Sequence, residues 1–255
     1  MKRIGLVLSG GGARGVAHIG VLQALEEVGL RFSHISGVSA GAIVGALYAH
    51  GHTPKDIFGI IQQVSIFKSV RPAWSWSGLL KMDGMQELLM RYLPVNDFGS
   101  LKVPLTIAAT EIRKGETHYF TDGPLIPAIL SSCSIPAVFS PFSYRDGLYV
   151  DGGLLDNLPA KAIRDKCDFL LGSHCNVVSQ TFDPTNLRMV IERSLLMAIN
   201  ANTWNSKLMC DMVIEPTGLD RYSGLDIGKA REIFDIGYKF TKENFKPGQF
   251  EKMVA

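Results

Sequence analysis

Cysteine and histidine are too few and too scattered in this sequence to indicate a metal centre. The four cysteines are separated by long stretches and form no C-x-x-C pair, so the spacing typical of a zinc site is missing. Isolated thiols of this kind are typical of a reducing compartment. His174 and Cys175 form an adjacent pair of candidate ligands, but no further ligands occur at metal-binding spacing. We therefore expect a metal-independent, cytoplasmic protein.

Long apolar runs and long runs of like charge are also missing. No apolar stretch reaches the ~20 residues that span a bilayer. Only five mostly apolar residues follow Met1, Lys2 and Arg3 before the first glycine cluster, whereas a secretory signal core needs roughly 7–15. The 26 basic and 24 acidic residues nearly balance, which argues against a nucleic-acid partner. With 46% hydrophobic and 20% charged residues, the composition is that of a soluble globular protein.

Strand and helix patterns alternate along the chain. An apolar strand at 4–8 precedes a helical pattern from about 16 to 28, and this order recurs as far as an amphipathic helical pattern at 229–245. Alternation of this kind predicts an α/β fold with three layers, α/β/α, around a central, mostly parallel sheet. No repeat or linker interrupts it, so we expect a single domain over 1–255, with a helical region at about 187–250 packed onto it.

A glycine-rich motif, Gly10-Gly11-Gly12-Ala13-Arg14-Gly15, lies between the first strand and the first helix. It satisfies G-x-G-x-x-G, the pattern of a dinucleotide-binding loop. Such a site usually has an acidic residue about 20 positions later to bind the ribose, yet no Asp or Glu occurs between Gly29 and Lys55. No Gly-Lys-Ser/Thr follows the motif, which argues against a phosphate loop. We therefore expect no nucleotide cofactor.

A second glycine motif, Gly37-Val38-Ser39-Ala40-Gly41, matches G-x-S-x-G between a predicted strand and a predicted helix. This is the context of a nucleophile elbow, in which Gly37 and Gly41 permit a sharp turn that exposes the serine oxygen. The helical pattern at 42–50 is apolar nearly all round, which predicts a buried helix. Glycine-rich turns also contain serine by chance. Ser39 is therefore a candidate nucleophile, and it requires a base to activate it.

Two side chains are candidates for that base. The chain order permits a Ser–His triad through His174, the one histidine that lies beyond any suitable acid. Asp151 is the alternative, because it follows the strand pattern at 148–150 and precedes Gly152 and Gly153. A residue at the carboxyl end of a sheet strand reaches the crevice where such sheets build their sites. The residues alone leave both alternatives open.

Taken together, these motifs resemble the patatin-like phospholipase family. Its signature is a G-G-G-x-R-G loop, a G-x-S-x-G serine and a later D-G-G or D-G-A. The three occur here in that order, at Gly10–Gly15, Gly37–Gly41 and Asp151–Gly153. The segments Ser132–Pro136 and Asp151–Pro159 also resemble segments of the family.

The resemblance covers about residues 3–175 and implies a patatin-like fold with a catalytic dyad that contains no histidine. Ser39 would attack an ester carbonyl and Asp151 would accept the serine proton. Water would later release the fatty acid from the acyl-enzyme. An aspartate with an ordinary pKa near 3.9 is a weak base. Stabilisation of the oxyanion, at about 3–4 kcal/mol for one donor, would then carry much of the catalysis.

By the same resemblance, the glycine loop Gly10–Gly15 forms the oxyanion hole. Backbone amides around Gly11, Gly12 and Ala13 would donate to the oxyanion, and Arg14 would brace the loop. Three consecutive glycines suit this role because side chains would obstruct the approach of substrate.

The resemblance implies a lipid or other carboxylic ester as the substrate, without selecting a head group. Aromatic and basic residues at 65–82 fit either an interfacial patch, in transient contact with a membrane surface, or a loop folded onto the core. The second interpretation is favoured because apolar loop residues usually pack. Two alternative functions stay open: a transacylase that shares the acyl-enzyme, and a non-catalytic regulatory or adaptor protein that retains the fold.

Overall fold

The computed structural model describes residues 2–63, 82–136, 138–179, 181–224 and 226–245. Within these ranges strands and helices alternate, as the sequence pattern predicts. The strands are β1 (Ile4–Leu8), β2 (His34–Val38), β3 (Leu105–Glu111), β4 (Glu116–Phe120), β5 (Phe142–Tyr144), β6 (Gly147–Asp151), β7 (Phe169–Ser173) and β8 (Met212–Ile214). The helices are α1 (Val16–Glu27), α2 (Ala40–His50), α3 (Pro54–Gln63), α4 (Asp83–Tyr92), α5 (Leu125–Ser132), α6 (Leu187–Met209) and α7 (Ala230–Asn244).

The described strands form one eight-stranded sheet in the order β5-β6-β3-β2-β1-β7-β8, with β4 paired to β3 outside this path. Neighbours among β1, β2, β3, β7 and β8 are parallel. The pairs that involve β4, β5 and β6 are antiparallel. The predicted α/β fold with a central, mostly parallel sheet is confirmed.

Strand β3 divides one of its edges between two partners. β4 pairs with β3 residues 107–111 along one edge. β2 pairs with residues 105–108 and β6 with residues 109–111. Because β4 occupies the first edge over the whole of 107–111, β2 and β6 both lie along the opposite edge.

This shared edge brings two strand ends together. β2 runs parallel to β3 and β6 runs antiparallel to it, so the carboxyl ends of β2 and β6 meet. Val38, at the end of β2, lies opposite Ala108. Asp151, at the end of β6, lies opposite Ala109, the next residue of β3. The residue that follows Val38 is Ser39, so the sheet itself places Ser39 beside Asp151.

Helices pack around this sheet and cover its apolar strands. α2 is buried from residue 41 to residue 49, as its apolar sequence predicts. α7 packs against α1, and α6 and α7 lie in the region predicted to be helical at about 187–250. Among the helices of the described ranges, none has both the length and the apolar character needed to span a bilayer. Residues 65–81, which carry most of the aromatic and basic residues considered above, lie outside the described residues.

Candidate active site

Ser39 occupies the sharp turn between β2 and α2. Its backbone angles are φ 53° and ψ −124°, a region that costs a residue with a side chain about 1–3 kcal/mol. The side chain is 5% exposed. Strain of this kind persists only where the surroundings hold it in place, and it is common at functional sites.

The glycines on either side of Ser39 are required by close packing. A Cβ atom at Gly37 would lie 2.5 Å from the carbonyl oxygen of Gly41, and one at Gly41 would lie 2.4 Å from the carbonyl oxygen of Leu8. Both distances are shorter than a side-chain carbon can adopt. These glycines therefore let the first turn of α2 lie directly against β1 and β2, and Ser39 lies at the resulting corner.

Asp151 is the carboxylate at this corner. The neighbouring Ser39 side chain lowers the pKa of this carboxyl group, and its Oδ1 atom accepts the Gly153 N–H at 2.8 Å. Burial raises the pKa of Asp151 to about 6, and the Ser39 side chain and the Gly153 N–H limit that rise. The carboxyl group is still largely ionised at neutral pH. It is therefore a stronger base than the ordinary aspartate assumed from the sequence.

The glycine loop Gly10–Gly15 lies against the same corner, but several of its amides are already engaged. Gly10 N–H donates to Asn157 O at 3.2 Å, and Ala13 N–H donates to Gly224 O at 2.7 Å. Arg14 N–H donates to the Gly11 carbonyl at 3.1 Å. The amides of Gly11 and Gly12 donate to no acceptor among the described residues. The amides of Gly10, Ala13 and Arg14 are therefore engaged, and Gly15 lies deeper, within the turn that leads into α1. Of the six residues predicted for an oxyanion hole, Gly11 and Gly12 have amides that are free to donate among the described residues.

Arg14 connects the loop to two distant segments. Its side chain is buried, with Nε donating to Tyr222 O at 2.7 Å and Nη1 to Asn176 Oδ1 at 3.5 Å. These contacts are those of a bracing residue. Burial lowers the pKa of Arg14 from its ordinary value, against the attraction of nearby acidic groups.

Ser39 opens onto a cavity of about 570 Å³. Its lining includes Asp151 and the glycines at 10, 11 and 12, and it continues along α6 through Met189, Leu196 and Ile199. Most of the lining is apolar, and the charged residues in it are Arg14, Arg193, Arg221, Asp151 and Asp220. The cavity can therefore hold an apolar substrate with its reacting group beside Ser39.

A second pocket of about 70 Å³ also contacts Ser39. Its lining is almost entirely apolar and includes Ile19 of α1 together with Ile43 and Val44 of α2. Ser39 thus lines two largely apolar spaces. Among the described residues, no group of three or more His, Cys, Asp or Glu side chains is placed to hold a metal ion.

His174, the alternative base, is not brought to Ser39. It follows β7, and its Nδ1 atom lies 2.7 Å from Glu215 Oε1. Burial lowers the pKa of His174, although the hydrogen bond to Glu215 opposes this. His174 lines neither of the two cavities that contact Ser39. The structure therefore favours Asp151 over His174 as the partner of Ser39.

Asn157 is a site residue to which sequence reasoning gave no role. Its carbonyl oxygen holds the Gly10 N–H, and its side chain lines the larger cavity. The side-chain amide nitrogen is buried and has no partner among the described residues. The only indication of its role in the sequence was its position in the segment Asp151–Pro159, which resembles a segment of the family.

Comparison with known proteins identifies the family of this chain. Residues 6–163 match the patatin-like phospholipase family. An uncharacterized NTE family protein of Mycobacterium tuberculosis is 36% identical over 167 residues, which cover 63% of this chain and 45% of that protein. A lysophospholipase nte1 of Neurospora crassa is 26% identical over 284 residues, which cover 95% of this chain and 18% of that protein. The chain therefore spans less than half the length of these two relatives.

The fold also has a counterpart among solved structures. VipD from Legionella pneumophila matches with a TM-score of 0.51 at 17% sequence identity, over 92% of this chain and 67% of that chain. At this identity the likeness concerns the fold alone. The family match covers more than half of the chain and contains both glycine motifs as well as Asp151. The chain belongs to the patatin-like phospholipase family.

Proposed function

We propose that the protein is a serine acyl hydrolase that releases fatty acid from a lipid or other carboxylic ester. The observation that carries this proposal is the junction of β2 and β6, where the turn at Ser39 lies beside Asp151, a buried carboxylate with a pKa of about 6. The family membership and a relative named as a lysophospholipase support a lipid as the substrate.

The proposed reaction has two steps. Asp151 accepts the Ser39 proton as the serine oxygen attacks the ester carbonyl carbon. The ester C–O bond then breaks, the proton passes from Asp151 to the departing alcohol, and the acyl group stays on Ser39. In the second step Asp151 accepts a proton from water, which attacks the acyl-enzyme. The fatty acid leaves and the proton returns to Ser39.

Both tetrahedral intermediates carry a negative oxygen, and we assign its stabilisation to the amides of Gly11 and Gly12. Their N–H groups are free among the described residues, and both glycines line the cavity that contains Ser39. A preorganised donor of this kind lowers the activation barrier by about 3–4 kcal/mol. Arg14, held by Tyr222 and Asn176, would keep the loop in position.

The proposal includes transient contact with a lipid surface. α6 lines the catalytic cavity on one side and exposes large apolar side chains on the other. The exposed fractions reach 73% for Leu187, 66% for Trp204 and 70% for Leu208. Contiguous exposed apolar residues mark interaction sites, and a helix of this kind can lie in a lipid interface. This contact would bring the cavity to its substrate. A cytoplasmic location stays a prediction from the four unpaired cysteines.

Hydrolysis of a p-nitrophenyl ester series of varied chain length tests the proposal. We expect activity in the wild type and a loss of at least ~10³-fold in Ser39→Ala and in Asp151→Asn, the scale seen when members of a catalytic unit are removed. Asp122→Asn is the matched control, because Asp122 also precedes a glycine but has an 82% exposed side chain. Circular dichroism checks that each variant is folded.

The other outcomes separate the alternatives. If Asp151→Asn stayed active while Ser39→Ala lost activity, Asp151 would not be the base, and His174 would be substituted next. Transfer of the acyl group to an added alcohol in preference to water would indicate a transacylase. If the folded wild type hydrolysed neither the esters nor phospholipid vesicles, the hydrolase proposal would be wrong and the adaptor alternative would take its place.

A further inference from the structure

The end of α5 and the residues after it contact both members of the Ser39–Asp151 dyad. Ser132 Oγ accepts the Ser39 N–H at 2.8 Å and donates to the Ala108 carbonyl oxygen at 2.6 Å. Two residues later, the Ser134 carbonyl oxygen accepts the Asp151 N–H at 2.9 Å. Ser132 and Ser134 are fully buried. A segment of three residues therefore holds the backbone of the nucleophile and the backbone of the base.

The Ser132 hydroxyl stands where a sheet hydrogen bond would otherwise lie. Ile35 N–H donates to Pro104 O at 2.9 Å, and the bonds of a parallel ladder recur every two residues. Continued along β2, the same ladder would pair the Ser39 N–H with the Ala108 carbonyl oxygen. Ser39 turns away from the strand at this point, and the hydroxyl of Ser132 joins the two groups in place of the direct bond.

We infer that Ser132 is a positioning residue for the nucleophile, an assignment that rests on the proposed function. Ser132 lines neither cavity at Ser39, so it acts through Ser39 and not on the substrate. Its hydroxyl accepts the N–H of Ser39, whose φ is 53°, and links that N–H to β3. The chain then passes through Cys133 to Ser134, which contacts Asp151. The distance between the nucleophile and its base therefore depends on this hydroxyl.

Ser132→Ala removes the bridge and leaves the Ser39 N–H without its partner. We expect kcat to fall on the order of 10²-fold, the loss that follows a displacement of about 1 Å at a reacting group, while KM stays nearly constant. Ser131→Ala is the matched control. Ser131 is also fully buried, but its hydroxyl donates to Pro127 O at 2.8 Å, within its own helix and away from the dyad.

The experiment measures kcat per active site, so that misfolded protein does not count. A fluorophosphonate probe labels the nucleophilic serine, and mass spectrometry gives the fraction of molecules labelled at Ser39. The melting temperature is measured in parallel. A merely structural role would lower the melting temperature and the labelled fraction in both serine variants, with kcat per labelled site unchanged. Loss of kcat per site in Ser132→Ala alone supports positioning, and wild-type kcat per site in that variant overturns it.

Two conservative variants complete the test. Ser132→Thr keeps the hydroxyl and is expected to restore most of the lost kcat. Ser132→Cys keeps the shape but substitutes a weak donor and acceptor, so its kcat should fall at least ~10-fold. If Ser132→Ala does not fold, Ser132→Cys decides, because wild-type kcat in the folded cysteine variant contradicts the inference. Failure of the wild type to label or to hydrolyse esters would instead contradict the proposed function.

Discussion

Asp151 is expected to lower the stability of the folded protein over the pH range in which it acts as a base. Burial raises its pKa from 3.8 to about 6, so the folded chain binds this proton more tightly than the unfolded chain does. Stability therefore falls as the pH rises from about 4 to about 6, and the whole loss is present above that range. At 1.36 kcal/mol for each pH unit, the difference between the two pKa values corresponds to about 3 kcal/mol.

Asp151→Asn removes the ionisation and keeps the shape of the side chain. Urea unfolding of both proteins between pH 3.5 and pH 8 gives the difference in their free energies of unfolding. We expect the asparagine variant to gain about 3 kcal/mol relative to the wild type between pH 4 and pH 7.5. Altered hydrogen bonds add an offset that does not depend on pH, so only the change with pH is interpreted. Ser131→Ala, which removes no titratable group, should differ from the wild type equally at every pH.

Catalysis gives an independent measurement of the same pKa. Because Asp151 must be ionised to accept the proton, kcat/KM of the wild type should rise with pH and reach half its maximum near pH 6. Ser39→Ala removes the hydroxyl that lowers the pKa of Asp151, so a carboxyl titration in that variant should give a higher pKa. A stability difference that stays flat from pH 4 to pH 7.5, together with half-maximal activity near pH 4, would refute the reasoning from burial.

Two further predictions concern the surroundings of the site. Tyr119→Phe removes the hydroxyl that donates to buried Asp156 at 2.6 Å. Urea unfolding should show that the free energy of unfolding falls by about 1–3 kcal/mol at pH 8. The loss should be smaller at acidic pH, where the Asp156 carboxyl group is protonated. An equal loss at both pH values would contradict this. Leu208→Ser, at a 70% exposed position of α6, should lower the binding of Ser39→Ala protein to phosphatidylcholine vesicles about tenfold in a flotation assay. Ile112→Ser is the control, at an exposed apolar position outside α6, and equal binding by both variants would argue against contact through α6.

Sequence patterns were sufficient to single out Ser39 as the candidate nucleophile, because its motif is a short local run of residues. Gly37 and Gly41 flank Ser39 at fixed spacing, and the contact of Gly37 with the Gly41 carbonyl oxygen lies within the turn itself, whereas Gly41 also meets the Leu8 carbonyl oxygen of β1. Alternation of strands and helices likewise predicted the mostly parallel sheet, since apolar strands separated by helices have few other ways to be buried.

The base could not be chosen from the sequence, because the choice depends on strand order. Asp151 is the last residue of β6, and His174 follows β7. β6 lies on the edge of β3 that it shares with β2, whereas β7 pairs with β1. Asp151 thus lies beside the end of β2, and His174 lies on the far side of β1. Long-range pairing of this kind leaves no mark in the local pattern around either residue.

The sequence could not show which amides of the glycine loop are free to donate, for a similar reason. The amides of Gly10 and Ala13 are engaged by carbonyl groups of Asn157 and Gly224, which are distant in the sequence. No property of the glycine motif shows which of its amides will meet such a partner. The raised pKa of Asp151 was missed for the same reason, since burial of the carboxylate is a result of tertiary packing.

The candidate active site is built largely by contacts between backbones. A Cβ atom at Gly15 would lie 2.4 Å from the Ala40 Cβ, and one at Gly152 would lie 2.3 Å from the Ala108 carbonyl oxygen. The glycine loop is therefore pressed against the turn that carries Ser39, and the segment after Asp151 is pressed against β3. Backbone atoms in a hydrogen-bonded sheet move less than side chains that change rotamer. The separation of Ser39 from Asp151 is consequently set by the sheet together with the Ser132 bridge to it, and a side chain added at either glycine is expected to move one of these two residues away from the other.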